Sequence, residues 1–434
     1  MTDRSNLRRL RAAIAVGVMA IAAPAMAGPL RAGAAKVSIT PTPDEFPYAV
    51  KGELPFVGVH DPVFARALVL DDGARKVAIV SVEVTEIPYG TQIVTAVAQA
   101  LGVPEADVMV SATHTHVVPL VYYHNGPPTP VQAKEMDRIK ASAVQAAKDA
   151  AAQLQPATVA FGRGQAWVNV NNGGQAGRED RYDPAGLSDK SVDVIRVQTR
   201  KGATLALLMN YGSHAGAMFY SVTKDGGYEV TGDLPGETAL LLEASPRGAP
   251  VVLYTAAAEA DQLTLFESKQ YPGNLPAADE GAGGWAILDV MSRRLASSVI
   301  DTLAAMPAGA SDVRLSTSTS AVSCPGEHRQ MDRATGQITA QDRPPVSIPL
   351  SVIRIGDIAL AGIGGDVGVG IGLDVKAASP VAHTTVVTMT AGSIGYIFPD
   401  ANYVHQGHGV IGSPLKAGCA EPAILGALKP MLAN

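Results

Sequence analysis

The sequence predicts an α/β (α+β) fold in which mixed β-sheets are covered by helices, arranged as a single large catalytic domain. Three observations predict it. Apolar strands recur in hairpins, with turns at Asp72-Gly73, Lys201-Gly202 and Gly356-Asp357. Other strands follow helical segments, as "DVMVSA" follows Thr91 to Leu101, and such crossovers make parallel neighbours. Hydrophobic residues make up 47% of the chain and charged residues only 17%, below the usual quarter, so a sizeable core must be filled. Hairpins and crossovers in one chain mean a mixed sheet with helices on its faces.

The elements follow in order. "TDRSNLRRLR" carries Arg4, Arg8, Arg9 and Arg11, and the apolar run "AAIAVGVMAIAAPAMA" ends in Ala25-Met26-Ala27. That is the pattern of an export signal cleaved after Ala27, so residues 1–27 are set apart from the domain at 28–434. A periplasmic or secreted location follows. From Phe64 to Val84 two strands flank Asp72-Gly73. Thr91 to Leu101 reads as a helix, and an alanine-rich helix spans Val131 to Leu154. "ATVAFGRGQAWVNVNN" and "VDVIRVQTRKGATLALLMNYGSHA" add strands, and a short helix begins near Pro235. "PVVLYTAAAEADQ" is a buried strand ending in a polar turn. Trp285 to Met306 is an amphipathic helix, and "VIRIGDIALAGIGGD" is a hairpin. The Gly/Asp-rich stretches 172–189 and 271–284 read as loops.

The bulk composition excludes some functions. A net charge of −6, with no Lys/Arg cluster interleaved with aromatics, speaks against nucleic acid. No later stretch has the length and apolarity of a membrane span. Two cysteines, Cys324 and Cys419, rule out a Cys-based zinc site, and both a disulfide and two buried thiols stay open.

Chemistry gathers at strand ends. His114 and His116 lie two apart after "VMVSAT", so a strand continued through them would aim both imidazoles one way. His214 follows the strand "LLMNY", Asp366 follows "LAGI", and Tyr396 ends the apolar stretch "TMTAGSIGY". Neutral imidazoles with a carboxylate suit Zn²⁺, and an incomplete set marks a catalytic rather than a structural site. Each residue also has a plain structural reading. A strand-end histidine is commonly just a satisfied polar group, Asp366 can cap a helix, and Tyr396 can be core.

These blocks resemble those of the neutral ceramidases and their shorter bacterial relatives, zinc-dependent amidases. The likeness runs from about residue 33 to 430, through "AGAAKVSITPT", "HDPVFARALVLDDG", "SATHTHVVP", "NYGSHA" with "GDLPG", "LAGIGGDVGVGIGLDVKAASP" and "SIGYIFPDANYVHQGHGV". The resemblance implies that His114, His214, Asp366 and Tyr396 hold zinc, with Asp366 one methylene shorter than the family's glutamate. It implies that His116 faces the reacting carbonyl and that Asp261 supports the site. Three positions depart from the pattern. Leu263 stands at the family's serine, with Thr264 the nearest hydroxyl. Asn172 stands at its arginine, and His408 at a second tyrosine. The full-length family's C-terminal immunoglobulin-like domain has no counterpart in the sequence.

The expectation is hydrolysis of an amide (N-acyl) bond in a small-molecule or lipid-like substrate by metal-activated water. His116 would move protons, His408 would protonate the leaving group, and Asp261 and Thr264 would assist. Two alternatives stand beside it. One is an esterase or lactonase on a more polar molecule, for which Asn171, Asn172 and Gln262 would suit. The other is a non-catalytic binding relative that keeps the fold.

Overall fold

The structure is a computed structural model. It describes residues 28–49, 53–119, 128–173, 182–245, 249–270, 278–332, 335, 337–405 and 408–433, apart from the side chains of Gln270, His405 and His408. The proposed signal at 1–27 lies outside them.

Eight strands form the larger sheet: β1 (Arg31–Ser38), β2 (Phe64–Asp71), β3 (Lys76–Val82), β4 (Val108–Ala112), β5 (Gln155–Gln165), β6 (Ser191–Thr199), β7 (Thr204–Tyr211) and β8 (Val251–Ala256). Their order is β8-β7-β6-β5-β1-β2-β3-β4. The outermost pairs, β7 with β8 and β3 with β4, are parallel, and the rest are antiparallel. A second sheet has the order β9 (Leu315–Met331), β10 (Ile338–Ile355), β11 (Ile358–Ile363), β12 (His383–Val387). The hairpins at Asp72-Gly73, Lys201-Gly202 and Gly356-Asp357 are present, and Gly73, Gly202 and Gly356 take the positive φ these tight turns need.

The main helices are α1 (Thr91–Leu101), α2 (Pro130–Ala152), α3 (Asp233–Glu243), α4 (Gly284–Ala305), α5 (Val369–Ala378) and α6 (Ala420–Ala433). Helix α2 starts where Thr129 accepts a hydrogen bond from Gln132 N and Pro130 takes the first helical position. Strand alternation divides the apolar residues between layers. Ala67, Val69, Val80 and Val110 face α1 to α4, while Leu68, Leu70, Ile79 and Met109 face Ile353, Leu360 and Val387 of the second sheet. That sheet turns Leu350, Val352 and Ala361 toward α5 and α6. The layers thus run helix, sheet, sheet, helix.

One irregularity positions the site. Strands β1 and β5 pair through only two residue pairs, Arg31 with Pro156 and Ala32 with Gln155. The two halves of the sheet can therefore swing about this narrow join, and β8 comes to lie against β2, β3 and β4. Ser81 of β3 donates a hydrogen bond to the Tyr254 carbonyl of β8. Opposite edges of the sheet thereby release their chain ends into one place.

The second sheet also departs from expectation. Strands β9 and β10 form a long hairpin, and only its end nearest β11 was legible as strand. Its outer half is rich in charged and polar residues and proline and is largely exposed, so it lacks a clean apolar alternation. Cys324 of β9 and Cys419 form a disulfide with Cα atoms 5.7 Å apart, which resolves the open pairing. Asp366 does not cap a helix, since the residue before α5 is Gly368. Tyr396 does not end a long strand either. Strand β12 stops at Val387, and Tyr396–Ile397 is a separate short strand paired in parallel with Asp366–Val367.

Candidate metal centre

Four turns meet at the edge-to-edge junction. His114 follows β4 by two residues, His214 follows β7 by three, Glu259 follows β8 by three, and Asp366 follows β11 by three. Backbone hydrogen bonds stitch the turns together. His116 N donates to Ala215 O at 2.9 Å, His214 N to Gln262 O at 2.6 Å, Ala260 N to Val367 O at 3.1 Å, and Asp366 N to Gly395 O at 3.0 Å. Each functional residue is therefore held by the turn that carries the next.

His114 has φ 62°, a left-handed conformation that is rare for a histidine. The kink ends the strand alternation, and the Thr85 carbonyl, 2.8 Å from Nδ1, fixes the ring. That contact requires a proton on Nδ1 and leaves Nε2 free to bind. His116 Nε2 lies 3.2 Å from His114 Nε2 and 2.6 Å from His214 Nε2. Asp366 Oδ2 is 3.4 Å from His114 Nε2. Two ligand-sized groups result and share His114. One contains His114, His116 and His214, and the other His114, Glu259 and Asp366, each with all its ligand atoms within 4.8 Å of one another.

The electrostatics call for a cation. Glu259 is fully buried and Asp366 is 3% exposed. Both carboxylate oxygens of Asp366 and Oε1 of Glu259 lack any hydrogen-bond partner. Glu259 Oε2 accepts only from Ser213 N, at 3.2 Å. Burial, and then the nearby Asp366 carboxylate, push Glu259 well above the usual carboxylate range. Burial, and then His214 and His114, push His116 well below the ordinary histidine value. His114 moves the other way: burial opposes its charged form, but Asp366 outweighs burial and raises it. Nitrogen and carboxylate donors at this spacing fit a divalent metal such as Zn²⁺, which would satisfy the orphaned oxygens.

The sequence-derived residues separate into groups. His114, His116, His214 and Asp366 converge. Tyr396 is the direct backbone partner of Asp366, which places it beside the cluster. Asp261 accepts from Val369 N at 2.8 Å and so holds the start of α5, and it also receives the Gln262 amide. Thr264 is fully buried and donates to Phe266 O. The side chain of His408 lies outside the described residues. Asn171 donates to Leu187 O, and Asn172 N to Asp261 O, so both brace the turn next to Leu263. Leu263 pairs with His214 across an isolated bridge and is itself buried.

Glu259 is the site residue that sequence reasoning missed. The signal was present, since "YTAAAEA" places a carboxylate just past a buried strand, as His114 and His214 sit past theirs. Asp261, two residues on, drew the assignment instead.

Comparison with known proteins fits this geometry. Residues 46–258 match the model of the neutral/alkaline non-lysosomal ceramidase N-terminal region, a span that contains all three converging histidines. Over that span the chain is of the neutral/alkaline ceramidase family. The fold agrees. The neutral ceramidase from Pseudomonas aeruginosa superposes with a TM-score of 0.72 at 18% identity, covering 93% of this chain and 74% of that one. A structure described as ceramidase complexed with C2 superposes with a TM-score of 0.72 at 17% identity, covering 93% and 75%. No curated protein matches the sequence. In this ceramidase-family chain, Glu259 falls immediately after the matched region, and Asp366 and Tyr396 fall well beyond it.

Two cavities border the centre. The larger, about 290 Å³, is lined by residues such as Glu86, Ser347, Pro349, Gly364 and Ser393, and none of the converging histidines lines it. The smaller is lined by Glu53, Phe56, His116, Val117, Phe219, Tyr220 and Tyr228. This second, narrow opening has a histidine of the cluster, His116, in its wall. Phe219 packs edge-on against His116, with ring centroids 4.9 Å apart.

Proposed function

We propose that this hydrolase of the neutral ceramidase type is a zinc-dependent amidohydrolase, exported from the cell, that cleaves an N-acyl bond in a substrate with an apolar portion. The convergence of three imidazoles with two unsatisfied buried carboxylates carries the reading. His114, His214 and Asp366 would hold the metal, with Tyr396 beside them. Zn²⁺ there supplies a Lewis acid that acidifies water toward a pKa of ~7 and polarises a carbonyl.

The chain's own residues supply the rest. His116 stays neutral at neutral pH, because burial and the adjacent imidazoles depress its pKa, so it can accept a proton at Nε2. Its Nδ1 is buried without a hydrogen-bond partner, and the rings of Phe219, His114 and His214 pack around it and hold its orientation. The narrow opening beside His116 is lined by Phe56, Phe219, Tyr220 and Tyr228, apolar surface that suits an acyl chain once side chains move apart to admit it. With Leu263 rather than a hydroxyl opposite His214, the turn offers no serine nucleophile, which supports direct attack by water.

Export rests on the basic-then-apolar N-terminus and on the disulfide, a bond that persists in oxidising compartments. No helix among the described residues is long and apolar enough to cross a membrane.

The test combines elemental analysis of purified protein with a panel of N-acyl and ester substrates. Stoichiometric zinc and amide cleavage lost in His114→Ala are expected. Metal-free protein with activity unchanged in that variant would refute the reading, and cleavage of esters alone would reassign the bond.

A further inference from the structure

We propose that Glu259 is itself a metal ligand, which makes this a two-carboxylate centre. The inference rests on the metal-hydrolase reading and assigns one more residue to the site. Three observations carry it. Glu259, Asp366 and His114 bring one ligand atom each within 4.8 Å of one another. Glu259 is fully buried, and its Oε1 has no partner, as is true of both oxygens of Asp366. Two buried carboxylates this close repel unless a cation lies between them; no Lys or Arg among the described residues pairs with either one, and His114, which supplies one of the three ligand atoms, is the ionisable neighbour, 3.4 Å from Asp366 Oδ2.

The geometry around Glu259 serves ligation. Ser213 N donates to Oε2, which aims Oε1 away from that backbone. The Glu259 carbonyl accepts from Gln262 N at 2.7 Å, so the carboxylate and Leu263 sit on one tight turn. Leu263 occupies the position at which the family resemblance would place a serine. The same turn thus carries a carboxylate at Glu259 and an apolar side chain at Leu263. Binding places a lone pair of the ionised Glu259 carboxylate on the metal, and any proton it carried passes to solvent. Two carboxylates neutralise a divalent ion, which suits a centre with little access to water. They also make the donor set harder than one of two imidazoles, one carboxylate and a phenol.

Diffraction at the zinc absorption edge on crystals of the wild-type protein decides the matter directly. An oxygen of Glu259 within ~2.2 Å of the metal is expected, and a separation beyond ~3 Å overturns the inference. In solution, competition with a chromophoric chelator should show Glu259→Gln binding Zn²⁺ about 10–100-fold more weakly than wild type. The melting temperature adds a sign that a merely structural role would not produce. Metal-free Glu259→Gln should melt above metal-free wild type, and the zinc-loaded variant below zinc-loaded wild type. Unchanged affinity in Glu259→Gln, with affinity abolished in His114→Ala, overturns this inference alone. Wild-type protein that takes up no zinc overturns the metal-hydrolase reading with it. If Glu259→Gln does not fold, the diffraction measurement on wild type still decides.

Discussion

Buried carboxylates meet in two places in this molecule, and the two are solved differently. In the first, Glu83 and Glu243 flank Arg66, which is 2% exposed. Arg66 donates to Oε1 of both, Phe64 N to Glu83 Oε2 at 2.7 Å, Val252 N to Glu243 Oε1 at 3.0 Å, and Lys36 to Glu243 Oε2 at 2.5 Å. All four oxygens are occupied, and only Nη2 of Arg66 is left over. In the second, no Lys or Arg among the described residues reaches Glu259 or Asp366; His114 Nε2 lies 3.4 Å from Asp366 Oδ2, and three of the four carboxylate oxygens lack a hydrogen-bond partner. Where a carboxylate pair ties elements together, the chain encodes the cation. Where, on the proposed function, it serves chemistry, the cation would come from outside. The contrast separates scaffold from site without reference to any relative.

The largest effect should come from the scaffold. Arg66→Met leaves buried Glu83 without its cation and Glu243 with Lys36 alone, and should cost about 3–5 kcal/mol of stability in denaturant unfolding. Adding Glu83→Gln and Glu243→Gln should recover part of that loss. At the metal centre, His116→Ala should lower kcat by about 10²–10⁴-fold while zinc content stays at the wild-type level. Loss of zinc along with activity would instead make His116 a ligand and reverse its role.

Asp366→Asn then tests the contrast by sign. In metal-free protein it removes the repulsion with Glu259 while weakening the His114 contact, so stability should rise only slightly, by about 1 kcal/mol or less. A destabilisation as large as that of Arg66→Met would mean that the two carboxylate pairs are not different in kind.

The smallest effect concerns Glu237 of α3, an intermediate case. It is half-buried, receives a hydrogen bond from Ser292 at 3.4 Å, and is pushed up to about 7 by burial and then by Asp61. The sign follows from linkage. Its folded pKa lies above the ordinary 4.5, so its contribution to stability is complete below that pH and is lost as pH rises toward 7. After allowance for solvent screening, the loss is about 1 kcal/mol. Glu237→Gln should flatten that slope in melting curves recorded from pH 4 to 8, and an unchanged slope would place the titrating group elsewhere.

Much of the site was legible because function here sits just past the ends of apolar strands. His114, His214 and Asp366 stood out as polar residues directly after buried runs. Glu259 follows the same rule but was passed over for Asp261, whose carboxylate instead holds the start of α5. Tyr396 was found beside Asp366, but not where a continuous strand would have put it. The long hairpin β9–β10 was only partly legible because its outer half buries little apolar side chain. Periodicity reports burial, and an exposed ribbon has none to report.

The sequence by itself determined the strands and hairpins, which cluster each residue could join, and the residue types available to bind a metal. Alternation and turn chemistry are local, so they can be read along the chain. Only the tertiary structure decided that β4 and β8, at opposite edges of one sheet, end side by side. That follows from the two-pair join between β1 and β5, and from an apolar core shared by both halves of the sheet and β9 to β12. The same long-range closure buried Glu259 close to Asp366 with no Lys or Arg of the described residues pairing with either, and no spacing in the sequence records that distance.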